Sequence, residues 1–343
     1  MARYVPILRW KQGERRGLSQ LQGSARQDVL PLFQIGADQF RLTKAQQKAG
    51  RSSAVELANG LLTDWGTSPF YLDASELSPA PGTTHHPLID IANAARANGL
   101  NMIPATSLSS GNLYIAAVQA VNQTDGRGVA LRVDLQEFTT AAQWGGNLSI
   151  GLGDIDLIAD FRGTIGTVLS LGAPAVASFG NLFQGAAWRT VTVAGTSMPL
   201  DFSGYASGVY IIPRSEWILW QTLSTAGLPY AIGYGDYATV SLAAPPSGIA
   251  WGYPINVKYT LQNEFLICRG VKTTGRGAVD MAPQLVGHAQ TIRAFPTRGA
   301  LTGCWGDDTI NDIASGAQGP GNLETWVRIG INRHIERVRN DLP

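Results

Sequence analysis

The sequence predicts an α/β protein: a single-domain (β/α)8 barrel of the TIM-barrel kind, with a C-terminal hairpin and a helical extension. Three observations predict it. Eight short apolar runs alternate with longer helical stretches, which is the pattern of βα units in a parallel sheet. The runs begin about 32 residues apart on average, close to the ~30 residues that one such unit needs. A chain of 343 residues also fits one barrel, since such barrels commonly exceed ~250 residues.

The first four predicted strands are short runs of aliphatic and aromatic residues at 4–8, 29–33, 70–73 and 100–104. Apolar residues with helical spacing follow the first three, at 11–25, at 54–62 and from about residue 87. Gly99 stands where the third of these helices is expected to end, because glycine readily adopts the left-handed backbone of a C-cap.

The second half of the chain repeats the alternation. Its predicted strands are 129–134, 156–160, 190–194 and 230–233, and its predicted helices are 113–121, 163–179 and 213–226. The tail adds a hairpin, 255–259 with 264–268, and helices at 277–292 and 323–340. We expect residues 1–292 to form the barrel and residues 293–343 to form a C-terminal loop and helix packed on it.

An open, doubly wound sheet is the alternative fold. Such a sheet often carries a glycine-rich phosphate-binding turn after its first strand. The segment 10–17, which follows the first predicted strand, is charged and contains neither GxGxxG nor GxxxxGK[ST]. The sequence therefore favours the closed barrel.

Composition excludes several classes of protein. With 26 Lys+Arg against 25 Asp+Glu the net charge is +1, which gives no strong signal for nucleic-acid binding. A hydrophobic content of 44% and a mean hydropathy of +0.00 exclude intrinsic disorder. No run approaches the ~18 apolar residues of a membrane helix, and no signal-peptide core is visible. We therefore expect no membrane association and a cytoplasmic location.

The two cysteines, Cys268 and Cys304, are too few to form a disulfide framework. The four histidines show none of the tight Cys/His spacings of a structural zinc site. We expect two buried thiols in a reducing compartment.

Polar residues recur where the predicted strands end, and in a (β/α)8 barrel those ends converge on one mouth, where active sites lie. The candidate catalytic residues are Asp73, Asp134, Asp160 and Asp236, and candidate ligand-binding residues at the same mouth are Lys11, Glu14 and Arg162. Such a set can bind a divalent cation and a phosphate, or divide general-acid and general-base roles. A divalent cation is the one cofactor that it suggests, and the metal is unknown.

Structural roles explain the same residues. An aspartate at a strand end is a frequent helix cap or turn residue. Lys11 and Glu14 are three residues apart, which also suits an exposed ion pair on a helix. Recurrence on several strands favours a shared site over separate caps.

A second set of candidate ligand-binding residues lies in the C-terminal segment: Arg269, Trp305 and Asp307. A tryptophan beside glycine and aspartate in a loop can form a binding lip, or it can close one end of the barrel. His334 lies on the last predicted helix, where a lone histidine is more often structural than a catalytic base.

Short motifs from end to end of the chain resemble the "beta protein" family. They are residues 4–11 (YVPILRWK) with Glu14, 30–35 (LPLFQI), 268–270 (CRG), 305–307 (WGD) and 326–334 (WVRIGINRH). This family comprises phage-linked and bacterial proteins with little assigned biochemistry. The resemblance implies a cytoplasmic protein of a phage, prophage or defence locus, with a phage or defence-system protein as partner, and it implies no reaction. Gln34 departs from the acidic residue expected there, which weakens an acid–base role.

Three functions fit these residues. The first is a phosphodiesterase-like hydrolase acting on a phosphorylated or nucleotide-type ligand at the mouth. The second is a non-catalytic recognition protein that binds a protein partner or a small signal through its tryptophan-rich tail, with Trp251, Trp305 and Trp326. The third is a glycosidase-like barrel, which needs two carboxyl groups ~5 to 9.5 Å apart. Aromatic residues near the strand ends support it: Trp10, Tyr71, Phe161 and Tyr234.

Overall fold

The computed structural model describes residues 4–21, 23–80, 82–138, 149–181, 188–242 and 254–343. Eight parallel strands close into a barrel in the order β1 to β7 and then β9, which pairs back to β1. The strands are β1 Tyr4–Arg9, β2 Leu32–Gln34, β3 Phe70–Asp73, β4 Met102–Ser107, β5 Val129–Val133, β6 Ile155–Asp160, β7 Thr190–Gly195 and β9 Ile232–Asp236. The predicted fold class is confirmed.

Helices lie between the barrel strands and cover their outer faces. They are Gln12–Ser19, Lys44–Lys48, Ser53–Asp64, Leu88–Ala97, Asn112–Asp125, Leu135–Phe138, Ile165–Ser170, Ala173–Asn181 and Ser215–Ser224. The helix Leu88–Ala97 ends before Gly99, whose φ is +65°, so the predicted C-cap glycine does adopt left-handed backbone.

Three predicted elements are wrong in extent or type. The helix predicted at 163–179 is broken in two at Gly172, where φ is +60°. Residues Gly208–Pro213 form an additional strand, so the following helix begins at Ser215 and not at Pro213. The segment Trp305–Ser315 is a helix and not a loop. Its glycine, Gly306, serves close packing: a Cβ there would lie 2.9 Å from the Ile329 carbonyl oxygen.

Beside the barrel lies an antiparallel sheet of three strands in the order β10, β11, β8. The strands are β8 Gly208–Pro213, β10 Pro254–Thr260 and β11 Glu264–Lys272, so the predicted hairpin is confirmed and gains a third strand. Three helices accompany this sheet in the C-terminal part of the chain: Met281–Ala294, Trp305–Ser315 and Leu323–Asp341. Side chains from β10, β11 and these helices form a hydrophobic core of their own.

The last helix, Leu323–Asp341, belongs to the barrel as well as to the extension. It packs along the helix Gln12–Ser19 and contributes Ile331, Ile335 and Val338 to the main core. Gly17 allows the close approach, because a Cβ there would lie 2.8 Å from the Arg328 carbonyl oxygen. The last helix therefore contacts both the barrel and the extension.

Alternation along the strands sorts side chains into two populations. One set fills the barrel lumen, including Val5, Ile7, Tyr71, Ala130 and Ile158. The alternate set packs outward under the helices in the main core. We call the side of the strand on which a residue lies, lumen or outward, its parity. Parity decides which strand-end residues reach the mouth.

Within the described ranges no single helix is both long and apolar enough to cross a membrane. One pair of helices among the described residues, 162–170 and 173–181, meets that test on length and composition, but it is bent by 113° at its break.

Candidate functional site

Arg132 lies at the centre of the barrel mouth, between two strand-end aspartates. It sits on the lumen side of β5, two residues after the lumen residue Ala130. Its Nη1 donates to Asp73 Oδ2 at 2.5 Å and its Nη2 donates to Asp160 Oδ2 at 2.7 Å. The guanidinium thus ties the carboxyl ends of β3, β5 and β6 together.

Tyr237, the first residue after β9, completes this arrangement. Its hydroxyl donates to Asp160 Oδ2 at 2.6 Å and accepts from Arg132 Nη2 at 3.1 Å. Burial, followed by the Asp160 charge, raises the pKa of Tyr237 well above its ordinary value. Burial alone would lower the pKa of Arg132, but Tyr237, Asp160 and Asp73 outweigh it and raise that pKa. Arg132 therefore stays charged and the phenol stays protonated.

All four carboxylate oxygens at the centre accept hydrogen bonds from the protein. Asp73 Oδ1 accepts from the backbone N–H and the hydroxyl of Ser75, at 3.0 and 2.7 Å. Asp160 Oδ1 accepts from the Arg162 backbone N–H at 3.3 Å. The remaining oxygen of each carboxylate accepts from Arg132. Both carboxylates are thus fully engaged, whereas the Nε of Arg132 is buried without a partner. Either carboxylate must exchange a donor before it can act as a base.

Two further arginines stand at the rim. Arg9 ends β1 on the lumen side, and its Nη2 donates to the Leu242 carbonyl oxygen at 3.1 Å. Arg162 follows β6; its side chain is 62% exposed, and its Nε lies 3.9 Å from Asp160 Oδ2. We call Arg9, Asp73, Arg132, Asp160, Arg162 and Tyr237 the mouth cluster.

The backbone is strained at this mouth. Three non-glycine residues of the described chain have positive φ, and two of them lie two residues beyond a barrel strand: Arg162 at 47° and Ala238 at 48°. Such a conformation costs about 1–3 kcal/mol and persists where the surroundings enforce it, commonly at functional sites. Arg162 thus combines strained backbone with a mostly exposed side chain.

Asp236 does not join the mouth cluster, which corrects its placement. It has the outward parity of Tyr234 and is 1% exposed. Its Oδ1 accepts from the Tyr4 hydroxyl at 2.9 Å and from the Ala238 backbone N–H at 3.0 Å. Its Oδ2 lies 2.6 Å from His334 Nε2. This strand end, predicted to carry a catalytic carboxylate, instead carries a buried aspartate that contacts His334 on the last helix.

The surroundings of Asp236 form the sealed network, made of Tyr4, Arg214, Tyr234, Asp236, Thr260 and His334. His334 Nδ1 lies 2.9 Å from Thr260 Oγ1, and Arg214 Nη2 lies 3.9 Å from Asp236 Oδ2. Burial opposes ionisation of Asp236, but His334 and Arg214 outweigh it and lower its pKa. Burial lowers the pKa of His334. A Thr–His–Asp chain exists here, yet each member is at most 1% exposed and cannot meet a substrate.

Asp134 also stays outside the mouth cluster. It is exposed, and its Oδ1 accepts from the backbone N–H groups of Gln136 and Glu137 at 2.8 and 2.9 Å. It therefore caps the short helix Leu135–Phe138.

Lys11 and Glu14 do not form the exposed ion pair that their spacing allowed. Lys11 is half-buried at the N-cap of the first helix. Glu14 is 3% exposed, and its Oε2 accepts from the Arg9 backbone N–H at 2.6 Å. Burial raises the pKa of Glu14 to about 7.

The C-terminal candidates lie in the extension and serve its packing. Arg269 on β11 donates to Asn256 Oδ1 and to the Tyr205 carbonyl oxygen, both at 2.8 Å. Asp307 is 1% exposed and pairs with Arg298 at 3.1 Å and with Arg333 at 2.9 Å. These contacts join the helix Trp305–Ser315 to the last helix and do not reach the mouth cluster.

The tryptophans do not form the exposed lip that a tail-mediated interface needs. Trp326 is 5% exposed, and its Nε1 donates to the Pro320 carbonyl oxygen at 3.0 Å. Trp305 is half-buried, with the Arg328 guanidinium 5.1 Å from its ring centroid. Trp251 lies outside the described residues.

Two further expectations concern metals and thiols. Within the described ranges no three His, Cys, Asp or Glu side chains converge as metal ligands. A divalent cation at the mouth would have to share Asp73 and Asp160 with Arg132. Cys268 and Cys304 are free and buried, and burial raises the pKa of each thiol to about 12.

Sequence reasoning missed Arg132, Tyr237 and Arg9, although one signal was available. Arg132 stands inside an otherwise apolar strand that is buried on both faces, and a charge in such a strand must point into the lumen or find a buried partner. Asp134 was chosen because it ends the predicted strand 129–134, but the observed strand ends one residue earlier, at Val133.

Comparisons with solved structures find proteins of low similarity. A mutant tryptophan synthase α-subunit from the hyperthermophile Pyrococcus furiosus aligns with a TM-score of 0.41 at 11% identity, over 70% of this chain and 90% of that one. Triosephosphate isomerase from Bartonella henselae aligns with a TM-score of 0.34 at 12% identity, over 67% and 91%. A putative oxidoreductase from Bacteroides fragilis gives a TM-score of 0.19 at 14% identity, over 98% and 96%.

No curated protein matches the sequence significantly. The family model described as Beta protein matches residues 4–340, which is nearly the whole chain. The predicted resemblance is confirmed, and the chain belongs to the Beta protein family.

Proposed function

We propose that this barrel binds a small anionic ligand, of the phosphorylated or nucleotide type, at its C-terminal mouth. The observation that carries the proposal is the mouth cluster itself, in which three arginines and two aspartates lie at the carboxyl ends of barrel strands. Arg132 neutralises one negative charge and is fixed by both carboxylates, and Arg9 and Arg162 leave an excess of positive charge at the rim. Arginine suits this task because its planar fork binds phosphate and carboxylate groups in a bidentate manner.

Arg162 is the residue best placed to meet such a ligand first. Its side chain is mostly exposed while its backbone is held in a strained conformation beside Asp160. Arg9 would release the Leu242 carbonyl oxygen and turn toward the anion. Arg132, held between Asp73 and Asp160, lies at the centre of the mouth and offsets one of their two negative charges.

Hydrolysis of a phosphate ester is the narrower proposal for this mouth. A hydrolase needs a base or a bound cation to activate water. Asp73 and Asp160 supply the carboxylates, but Arg132, Ser75 and Tyr237 engage them. The geometry therefore supports binding more strongly than hydrolysis. A glycosidase is not supported, because the guanidinium fills the gap between the two carboxylates where a sugar and its attacking water would sit.

The experiment is a thermal-shift and calorimetric titration with inorganic phosphate and with a nucleoside monophosphate, at low ionic strength. A ligand that binds only the folded state adds about 2.7 kcal/mol of stability at 100 times its Kd. We expect Arg162→Ala to weaken binding about tenfold, since one charge-assisted contact contributes ~1.4 kcal/mol. Turnover of bis(p-nitrophenyl) phosphate, with and without Mg²⁺ or Mn²⁺, tests the hydrolytic step.

Arg276→Ala is the matched control, because this arginine is exposed in the turn after β11 and away from the mouth cluster. Binding that falls equally in both variants would indicate a general charge effect and would contradict the proposal. An absence of any shift with either anion would do the same.

Recognition of a phage or defence-system protein stays a prediction from the family resemblance. The described tryptophans do not favour it, since Trp326 is buried and Trp305 is half-buried under Arg328. We therefore do not advance it as a second function.

A further inference from the structure

The strand β8 forms an open edge of the three-stranded sheet. It pairs with β11 on one side, and the order β10, β11, β8 leaves its other side without a neighbouring strand among the described residues. A free edge presents a row of unpaired N–H and C=O groups, which is a template for another strand. Natural proteins usually protect such an edge with charged side chains, bulges or a covering loop, and an edge without them is open to pairing.

The ladder between β8 and β11 shows which backbone groups of β8 point outward. Arg214, the next residue after β8, donates its backbone N–H to the Asn263 carbonyl oxygen at 2.8 Å, so this opposed pair is a hydrogen-bonded one. Such pairs alternate along an antiparallel ladder, and the register along β8 is continuous. The N–H and C=O groups of Val209 and Ile211 therefore point away from β11, and no other backbone group of the described chain bonds to them. Pro213 has the same orientation, which suits a residue that lacks an N–H.

No charged side chain protects this edge. The segment 202–213, which includes the whole of β8, contains no Asp, Glu, Lys or Arg. Val209 and Ile211 are β-branched aliphatic residues, yet they are 49% and 41% exposed. The alternate residues Tyr210 and Ile212 pack against a small core on the other face of the sheet. The exposed side chains thus belong to the same two residues that carry the unpaired backbone groups, and one incoming strand would cover both.

We propose that β8 pairs antiparallel with β8 of a second copy of this chain, about a two-fold axis at Tyr210. This register places Val209 opposite Ile211 of the second copy, and Ile211 opposite Val209. Each of these opposed pairs exchanges two N–H···O bonds, so every free N–H and C=O group of the two residues finds a partner. An axis at Ile211 would instead oppose Val209 with Pro213, which has no N–H to donate. An axis at Val209 would oppose Ile211 with Ser207, which lies outside the strand.

A second copy of β8 is the occupant that this edge fits: an uncharged strand of the same length, with β-branched residues at the matching positions. Pairing would turn two three-stranded sheets into one sheet of six strands, and sheets of about 4–6 strands are the commonest. The two-fold axis keeps each face on one side, so Val209 and Ile211 of both copies meet in one aliphatic cluster. Because each copy contributes one short strand, we expect a reversible dimer and not an obligate one. This inference is independent of ligand binding at the mouth cluster.

The first test is sedimentation velocity of the full chain from about 1 to about 200 μM, a range that suits a small, reversible interface. We expect the sedimentation coefficient to rise with concentration from that of a monomer to that of a dimer. Ile211→Lys adds a charge to the pairing edge and should leave a monomer. Leu113→Lys is the matched control and should still dimerise, because Leu113 is 44% exposed on the barrel helix Asn112–Asp125. A natural chain that stays monomeric over this range would overturn the proposal, and so would a dimer that persists in Ile211→Lys.

Proline distinguishes backbone pairing from simple apolar contact. Ile211→Pro removes an N–H that points outward, so the ladder to β11 keeps its bonds, while the dimer loses one donor from each copy. We expect dimerisation to weaken about tenfold or more. Ile211→Thr keeps both the N–H and a branched side chain, and it should retain more dimer than Ile211→Pro. Melting temperatures show that both variants fold. Equal dimerisation of the two variants would contradict pairing through the backbone.

Cysteine variants test the register. The axis at Tyr210 brings the two copies of this residue together as a non-hydrogen-bonded pair, with Cα atoms about 4.5 Å apart, within the range of a disulfide. Tyr210→Cys should therefore form an intermolecular disulfide on mild oxidation, detected by non-reducing electrophoresis. Ile212→Cys is the control on the same face: it lies four residues from its copy along the ladder, about 13 Å, and should not cross-link. The natural Cys268 and Cys304 are buried and should not contribute. Cross-linking through residue 212 in preference to residue 210 would overturn the proposed pairing.

Discussion

Two regions of this molecule are built around an aspartate at the end of a barrel strand, and they differ in what the aspartate can reach. Asp160 ends β6 inside the lumen, beside the exposed Arg162, in a cluster that opens at the mouth. Asp236 ends β9 on the outward side, sealed by His334, Tyr4 and Arg214. The residue type and position along the strand are the same, and only the side of the pleat differs.

The comparison teaches that parity matters more than position in choosing candidate residues. Asp160 follows Ile158, which lines the lumen, whereas Asp236 follows Tyr234, which packs outward. The sealed network contributes stability by satisfying buried charges against each other. The mouth cluster keeps positive charge within reach of a ligand.

The largest expected effect comes from breaking the sealed network with Asp236→Ala. His334, Arg214 and Tyr4 would lose their shared partner in a site that water does not reach. We expect unfolding free energy to fall by about 3–5 kcal/mol, measured by urea denaturation at neutral pH. Asp134→Ala is the control, since it removes only an exposed cap that contributes ~1 kcal/mol. Equal losses in both variants would refute the contrast.

Glu216, beside the sealed network, makes the stability of that region depend on pH. It is 1% exposed, its Oε2 accepts from the Ser197 backbone N–H, and its Oε1 has no partner. Burial raises its pKa from 4.5 to about 7. Between these values the folded chain holds a proton that the unfolded chain has lost, so the stability contribution falls as pH rises from 4.5 to about 7.

Glu216→Gln should therefore be more stable than the natural chain above pH 7, by about 3 kcal/mol, and equal to it below pH 4.5. Urea midpoints measured from pH 4 to pH 8 check this difference. A constant offset across the whole range would show that Glu216 does not titrate in this window.

The mouth cluster should respond less than the sealed network. Arg132→Met leaves Asp160 with Tyr237 and Asp73 with Ser75, and the exposed Arg162 lies 3.9 Å from Asp160. We expect a loss of about 2 kcal/mol in urea denaturation, together with loss of phosphate binding in calorimetry. A loss as large as that of Asp236→Ala would remove the distinction between the two regions.

The smallest effect concerns Ala238, whose backbone N–H donates to Asp236 at the boundary between the regions. Its φ of 48° is strained for alanine and free for glycine. We expect Ala238→Gly to raise stability by about 0.5 kcal/mol after the entropy gained by the unfolded chain is counted. Ala45→Gly, in an exposed helix with ordinary backbone, should lower stability by ~1 kcal/mol and serves as the matched control.

Much of the barrel could be predicted because each βα unit is a local pattern. The strand Phe70–Asp73 has the predicted bounds, and Thr190–Gly195 and Leu323–Asp341 differ from the predicted bounds by one residue. The strand Gly208–Pro213 could not be predicted as part of a sheet, because its partner, β11, lies more than 50 residues further along the chain. The helix Trp305–Ser315 was not predicted because it contains Gly306. That glycine is needed for the close approach of the Ile329 carbonyl oxygen, a contact that the sequence does not show.

The candidate site was predictable only in part. Asp73 and Asp160 were identified from their places at strand ends, and the structure brings both to Arg132. Asp134 and Asp236 satisfied the same rule and lie elsewhere. Asp134 lies beyond β5 and caps the following helix, and Asp236 has the outward parity of its strand, since one residue of register moves a side chain from the lumen to the outside. Arg132 and Tyr237 were missed because neither stands alone as a motif; their importance comes from contacts across 59 and 77 residues of chain.

By itself the sequence determined the class of fold, the family and the absence of a strong charge bias, because periodicity, short motifs and composition are read without knowing contacts. Tertiary structure alone decided which charged side chains share an environment. Closure of the barrel sets the parity of each strand, and burial then fixes the protonation of Glu14, Glu216 and Lys258. Such shifts arise from desolvation and from neighbours distant in sequence, which no local pattern contains.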